Sequence, residues 1–383
     1  RQDSRESEIT YDFVQPAVSP EAVSARKSIL AGKETEIDAE VSRLYGLSDE
    51  DLAAIDRELS GTPAATEGDP AEETTGEEEE EASLAVLSAG ESARGWISYA
   101  GGIVLGRFEV GVTDGLGRGD FTPEVIEKLK SLAASDGILA NDPGQPLDLA
   151  ARVWRALEFM LGESEARARI ESAFGEGDPR DALFGWFGRF ASQPAASFWK
   201  YHFQLYCKRP AYWPLQSPQK EFTVWVFHER ITKDTLFHVR NDIVEPRLRM
   251  AEQQSADLKP KAQSDRRARK AMERLLDLTD DLREFSRRIK AIADRGYTPH
   301  IDDGVLLNAA PLYEILPSWP ETRKAWQELE AGQYDWAHQA MVYWAERVRE
   351  KCKTNRSFAI AHGLDHLCPE TAAPRPKKRR RSA

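Results

Sequence analysis

FWKYHFQLYCKRPAYWPLQSPQKEFTVWVFHERITKDTLFHVRNDIVEPRLR, residues 198–249, joins aromatic density, turn chemistry and positive charge in one stretch. Its first part, Phe198–Cys207, carries Phe198, Trp199, Tyr201, Phe203 and Tyr206 among Lys200 and His202. That mixture reads as a partly buried helix, and it should stop at Lys208-Arg209-Pro210 because proline disfavours helical geometry in the residue before it. Two extended runs follow, 211–216 and 221–227, separated by the turn-prone Ser217-Pro218-Gln219-Lys220. In the second run Phe222, Val224 and Val226 share one face and Thr223, Trp225 and Phe227 the other, the pattern of a strand buried on both sides. The pair is expected to form a hairpin. Thr232 then stands where an N-cap belongs, ahead of a helix striped with Leu236, Val239, Ile243 and Val244 and flanked by Arg240 and Arg247.

Downstream, residues 247–292 form a charged helical region interrupted near Pro260. Ala268, Ala271, Leu275, Leu278, Leu282, Phe285, Ile289 and Ile292 alternate three and four apart, as in a coiled-coil seam. An antiparallel hairpin with 235–258 is the simplest packing, its Arg and Lys residues forming a solvated outer face. In Tyr297–Leu312, Asp303-Gly304 marks a turn; His300, Asp302 and Asp303 offer metal-ligand chemistry, but one histidine and adjacent carboxylates favour the turn alone. Helices are expected over 320–331 and 335–353, the second burying Ala337, Met341, Trp344 and Val348. His362 and His366 have helical ligand spacing without a following glutamate or a third ligand, so no metal is assigned.

Upstream, a helix is expected over 20–44, carrying Leu30, Ile37, Val41 and Leu44 at helical spacing, and a shorter one from a Ser48 cap to Leu59. Residues 1–19 look irregular. Residues 84–111 read as an apolar helix stopped by Gly106. Its glycines fit neither phosphate-binding fingerprint and follow no strand. Residues 112–150 look loop-rich with one helix near 123–134, and 149–174 give two amphipathic helices around Gly162.

The chain has 383 residues and a net charge of −12, but the charges are segregated. Residues 1–60 hold 7 basic and 14 acidic side chains, and residues 61–83 hold 9 acidic and no basic ones. Residues 198–298, by contrast, hold 21 basic against 14 acidic. The expected organisation is an N-terminal helical segment (1–60), an acidic disordered linker (61–83), an α+β region with the long helical hairpin (84–298), a C-terminal helical domain (299–368) and a basic disordered tail (369–383). The fold class is α+β, mainly α-helical, around a small mixed or antiparallel sheet, with no Rossmann cofactor domain. Three cysteines at 207, 352 and 368 form no metal pair or disulfide framework, and no apolar run approaches membrane-spanning length. A cytoplasmic, non-membrane setting is expected. The first residue is Arg1 rather than methionine, which suits a piece of a longer protein.

Three blocks, WISYAGGIVLGRFEVG (96–111), YCKRPAYWPLQSPQKEFTVWVFHERITKDTLFHVRNDIVEPRLR (206–249) and IDDGVLLNAAPL (301–312), resemble the C-terminal half of the large adenine-specific DNA methyltransferases of BREX-type phage-resistance systems. The segment IDAEVSRLYGLSDEDLAAI (37–55) is similar to a helical piece preceding that half. The resemblance implies relatives that transfer methyl from S-adenosylmethionine to adenine N6, on a base held by an Asn/Asp-Pro-Pro-Tyr/Phe loop. Here Asn141-Asp142-Pro143-Gly144 lacks the second proline and the aromatic residue, and Arg209-Pro210-Ala211-Tyr212 lacks the amide or acid. No catalytic or cofactor residue carries over, and none is expected in this chain. What the resemblance implies instead is a target-recognition half that binds double-stranded DNA and docks on a catalytic methyltransferase domain or chain and on other defence-system proteins. The candidate DNA contacts, by charge and placement around the hairpin, are Lys208, Arg209, Lys220, Arg230, Lys233 and Arg240. For Tyr212, Trp213 and Trp225 burial is expected over base stacking. The alternative is a docking subunit with no DNA recognition of its own.

Overall fold

The computed structural model describes residues 4–17, 20–48, 51 and 88–368. The acidic stretch 61–83, most of the helix expected from Ser48 to Leu59 and the basic tail lie outside the described residues. At the start of that helix the expected cap is present: Asp51 N–H donates to the Ser48 hydroxyl, and Ser48 N–H donates to the Asp51 carboxylate.

Among the described residues the single sheet has three antiparallel strands in the order β1–β3–β2, with β1 at Ile138–Ala140, β2 at Tyr212–Gln216 and β3 at Thr223–Phe227. The hairpin register pairs Tyr212 with Phe227 and Gln216 with Thr223, and β1 covers the other edge of β3 through Ile138 opposite Val226. Every residue of the three strands is buried. That agrees with the two-sided apolar pattern of β3, which is the central strand. β1 falls in the region expected to be loop apart from one helix. Three residues are too few for an alternation to show, and the strand exists because β3 needs a partner on its second edge.

The rest is helical. The chain forms α1 (Pro20–Tyr45), α2 (Ala89–Val104), α3 (Pro123–Leu132), α4 (Leu149–Leu161), α5 (Glu163–Phe174), α6 (Pro179–Gly188) and α7 (Phe198–Leu205). After the hairpin come α8 (Thr235–His238), α9 (Glu245–Leu258), α10 (Arg266–Asp294), α11 (Gly304–Ala309), α12 (Glu321–Glu330), α13 (His338–Tyr343), α14 (Ala345–Thr354) and α15 (Arg356–Ala361). One core joins α2, α4–α7, the sheet and the inner face of α10. A second, smaller one lies among α11–α15. Trp225 sits at the centre of the first, against Phe187, Phe190 and Phe198, with its indole N–H donated to Phe187 O. α2 ends as its sequence implies: Arg107 N–H reaches Gly102 O, Gly106 N–H reaches Ile103 O, and Gly106 takes φ +76°. None of the described helices is long and apolar enough to cross a membrane.

Several helical expectations change in detail. α8 is capped at Asp234 rather than Thr232, whose hydroxyl instead accepts the Asp234 N–H. A π-helical turn, Val239–Val244, joins α8 to α9. Pro246 has no N–H to give back to the preceding turn, so the widened turn sits where the proline forces it. The α9–α10 hairpin forms, tied by Arg283 to Glu252 and by Arg240, Glu245 and Ser286. Its seam is only partly buried: Leu282, Phe285, Ile289 and Ile292 are inside, but Ala271 is exposed and Leu275 half-buried. The helix expected over 335–353 breaks at Trp344 into α13 and α14, and Met341 and Trp344 are half-buried. On α1 the apolar residues Ile37, Val41 and Leu44 face solvent, with Ile37 59% and Leu44 69% exposed.

The first residues have little regular structure yet are firmly held. Phe13 packs between Tyr99 and Phe108, Gly117 and Gly119 N–H donate to Phe13 and Val14 O, and Trp96 N–H donates to Ala17 O. Glu8 is carried into the interior, where the Tyr206 hydroxyl donates to it at 2.7 Å and Arg107 in turn donates to that hydroxyl. Burial pushes the Glu8 carboxyl up to about 7 despite the nearby Arg107 charge.

Two outcomes test this packing. A Cβ on Gly102 would lie 2.2 Å from the Phe108 ring and 2.8 Å from the Tyr212 hydroxyl, whereas one on Gly32 in α1 meets nothing within 4 Å. Thermal melts should therefore show Gly102→Ala destabilised by about 1–3 kcal/mol and Gly32→Ala unchanged or slightly stabilised. Glu8 is protonated in the folded chain up to about pH 7 but ionises above its ordinary 4.5 in the unfolded one. Its stabilisation is thus complete below pH 4.5 and lost as pH rises through 7. Burial holds His202 well below its ordinary 6.5, with the opposite sign: its stabilisation is lost as pH falls below 6.5. The two partly cancel in the parent. Glu8→Gln removes one, so in urea melts the stability gap should move in the variant's favour by about 3 kcal/mol between the low and high ends of that window. A gap independent of pH would contradict the buried-carboxyl reading.

Candidate nucleic-acid interface

The hairpin has two chemically different ends. Its open end is where α7 runs into β2 and β3 runs into α8. The entry to β2 is fixed by His202, fully buried on α7, whose Nε2 accepts the N–H groups of both Ala211 and Tyr212 at 2.9 and 3.1 Å. Accepting twice at Nε2 requires the neutral ring, and burial, then the Arg107 and His228 charges, hold its pKa well below 6.5. His228 closes the other side, its Nδ1 3.0 Å from Ala211 O.

Between α7 and this anchor the chain turns tightly. Lys208 N–H donates to Phe203 O and Arg209 N–H to Tyr206 O, with Cys207 at φ +48° and Lys208 at φ +63°. Among the described residues only Cys207, Lys208 and Lys220 are non-glycine residues with positive φ. The left-handed conformation costs an L-residue roughly 1–2 kcal/mol, so glycine would serve the turn better if geometry were all that mattered. Such strain persists where surrounding structure imposes it, commonly at sites with a task beyond packing.

The six candidate cations are therefore not equivalent. Lys208 and Arg209 are exposed at the open end, and Lys233 is exposed in the turn leading from it into α8. Arg230, at the same end, donates to the carbonyls of Ala134 and Ser135 beyond α3, fastening that loop to the hairpin. Arg240 is bonded to Glu245 and Ser286 inside the helical hairpin. Lys220 stands alone at the closed end. Five paired residues separate the ends, a span of roughly 15 Å at the usual rise of a strand. Among the described residues Lys208, Arg209, Lys220 and Lys233 make no ion pair.

Beside Lys220 lies a cleft of about 730 Å³ lined by Glu221, Asp277, Asp280, Asp281 and Glu284, with Arg274 the only cation in the lining. Asp281 is buried and receives Gln219 N–H at 2.8 Å, so a carboxylate holds the hairpin turn in place. Phosphate would meet repulsion at this end and attraction at the other.

The aromatic residues of the hairpin take no part in either surface. Tyr212, Trp213 and Trp225 are all buried, in agreement with the packing reading. Asn141 and Asp142, in the tetrapeptide closest to the adenine-holding loop, are structural: Asn141 donates to Phe184 O, and Asp142 pairs with Arg247 of α9 at 2.8 Å. Sequence reasoning missed His202, since nothing in spacing marks a histidine that will cap a strand. It also missed His338, which the fold stacks on His300 at 3.5 Å.

No protein-family profile matches the chain. The chain is similar to the adenine-specific methyltransferase BrxX of Escherichia coli O9:H4 (strain HS), with 30% identity over 128 residues. That stretch is 32% of this chain and 11% of the relative, so the chain matches a small fraction of that protein's length.

Proposed function

We propose that this chain is a DNA-recognition and scaffold portion of a site-specific N6-adenine DNA methyltransferase acting in phage defence. In this reading methyl transfer from S-adenosylmethionine is performed by a catalytic domain or chain that it accompanies. The observation that carries the reading is the open end of the hairpin, where the buried neutral His202 anchors a strained turn that holds Lys208 and Arg209 in solvent without ion-pair partners among the described residues. Lys233 extends the same cationic surface, and the similarity to an adenine-specific methyltransferase supports DNA, which we take as the duplex, as the ligand class. Contacts of this kind are to phosphate. They position a protein on the duplex, and sequence choice comes from base contacts made elsewhere or from DNA shape.

A second reading, a docking subunit without DNA recognition, has one observation in its favour: the exposed Ile37, Val41 and Leu44 of α1 are suited to a protein partner.

Duplex-DNA affinity measured across a salt series separates the two. On the recognition reading log K falls linearly with log salt, and each lost phosphate contact shallows that slope by about 1. Lys208→Ala, Arg209→Ala and Lys233→Ala should each do so, and Lys220→Ala should not. Lys208→Gly is the sharpest variant, because it should weaken binding while raising stability by about 1 kcal/mol through relief of the left-handed backbone. Salt-independent binding, or no binding with the catalytic partner supplied, would favour the docking subunit.

A further inference from the structure

Away from the hairpin, the fold brings together a donor set that the sequence keeps far apart. The loop 297–303 and the start of α13 meet so that one ring nitrogen each of His300 and His338 and a carboxylate oxygen of Asp302 all lie within 4.8 Å of one another. His300 Nδ1 is 3.7 Å from Asp302 Oδ2. Two ligands on a tetrahedral ion with arms of about 2.1 Å stand roughly 3.4 Å apart, close to this spacing, and an ion at Nδ1 replaces the hydrogen bond that this nitrogen accepts from the Asp302 N–H at 3.3 Å.

The surroundings are built to hold these groups. Asn308 clamps the His300 backbone from both sides, accepting its N–H at 2.8 Å and donating to its carbonyl at 2.6 Å. Gln339 ties the same asparagine to Thr298 O. Asp303, whose side chain is wholly buried, accepts the N–H groups of His338 and Gln339 at 2.7 Å each and faces His338 Nδ1 at 3.1 Å. A carboxylate on one imidazole nitrogen fixes the tautomer and leaves the other with its lone pair, the arrangement that orients histidine ligands in metal sites. With Nδ1–H directed at Asp303, Nε2 is the nitrogen of His338 left to coordinate. The Asp303-Gly304 turn expected from the sequence is present, with Gly304 at φ +72°, and Asp303 serves it as a positioning group rather than a ligand.

The two imidazoles stack in parallel, 10° between planes, and both edges reach solvent, with His300 41% and His338 32% exposed at the side chain. His362 is committed elsewhere, its Nε2 2.7 Å from Asp335 O. We propose that His300, His338 and Asp302 bind one divalent transition-metal ion of the zinc class, with a fourth position open to water. Two imidazoles with one carboxylate select such borderline ions over magnesium or calcium, which take all-oxygen sets. Binding swings the exposed His300 ring off the stack so that the ion lies in the plane of both rings, and it bolts loop 297–303 to α13.

The test is calorimetric titration of the full chain, stripped with chelator, using Zn²⁺ and then Co²⁺ as a visible-spectrum probe. The expected result is one ion per chain, tetrahedral Co²⁺ bands, and loss of both in His300→Ala and His338→Ala. Asp303→Asn should weaken binding by about 10–100-fold while keeping the ligands. His300→Ala removes a half-exposed ring, and melts of the stripped variant establish that it remains folded. No binding by the parent chain, or Zn²⁺ binding and Co²⁺ bands unchanged in both histidine variants, would overturn the assignment.

Discussion

The double hydrogen bond from Ala211 and Tyr212 N–H to one buried imidazole nitrogen is the constraint on which the proposed DNA-contact surface depends. Without His202 those two amides would be orphaned in the core, at a cost of about 1–3 kcal/mol each. With it, the start of β2 is fixed against α7, and the chain between them has no choice but a tight turn through Cys207 and Lys208 in left-handed geometry. The same buried layer receives Tyr206, Arg107 and Glu8, so the N-terminal residues are tied to the ground beneath this turn.

A second consequence is electrostatic. A net charge of −12 describes the chain, but a ligand meets local charge. The acidic cleft holds the closed end of the hairpin, and the cations that make no ion pair among the described residues stand at the open end, roughly 15 Å away by strand geometry. That exceeds the Debye length of about 8 Å at physiological salt, so the cleft does not cancel the cationic end. The hairpin thus acts as a spacer between opposite fields, and it gives the proposed DNA contact a direction.

Much of this was legible in the residues, for reasons that differ by element. The hairpin was readable because β3 is apolar on both faces, with Val224 and Val226 on one and Trp225 and Phe227 on the other, as suits a central strand. The α9–α10 pair was readable from its three-four spacing. β1 was not, because three residues carry no period, and neither was the break at Trp344, where the backbone leaves helical geometry at φ −136° and ψ 46° without a proline or glycine to mark it. At the candidate site, charge alone put six cations in one class. Only packing separates Arg230, bound to Ala134 and Ser135 carbonyls, and Arg240, bound to Glu245, from the exposed lysines. His338 lies 38 residues from His300 in the sequence, and its approach is purely tertiary.

The central claim is that the open end of the hairpin, and not its closed end, faces DNA. Lysine-reactivity footprinting of the chain with and without duplex DNA tests it directly, since Lys208, Lys233 and Lys220 are all exposed and report separately. The account predicts that DNA protects Lys208 and Lys233 while Lys220 reacts at its original rate. Protection of Lys220 alone, or equal reactivity of all three with DNA bound, would contradict it.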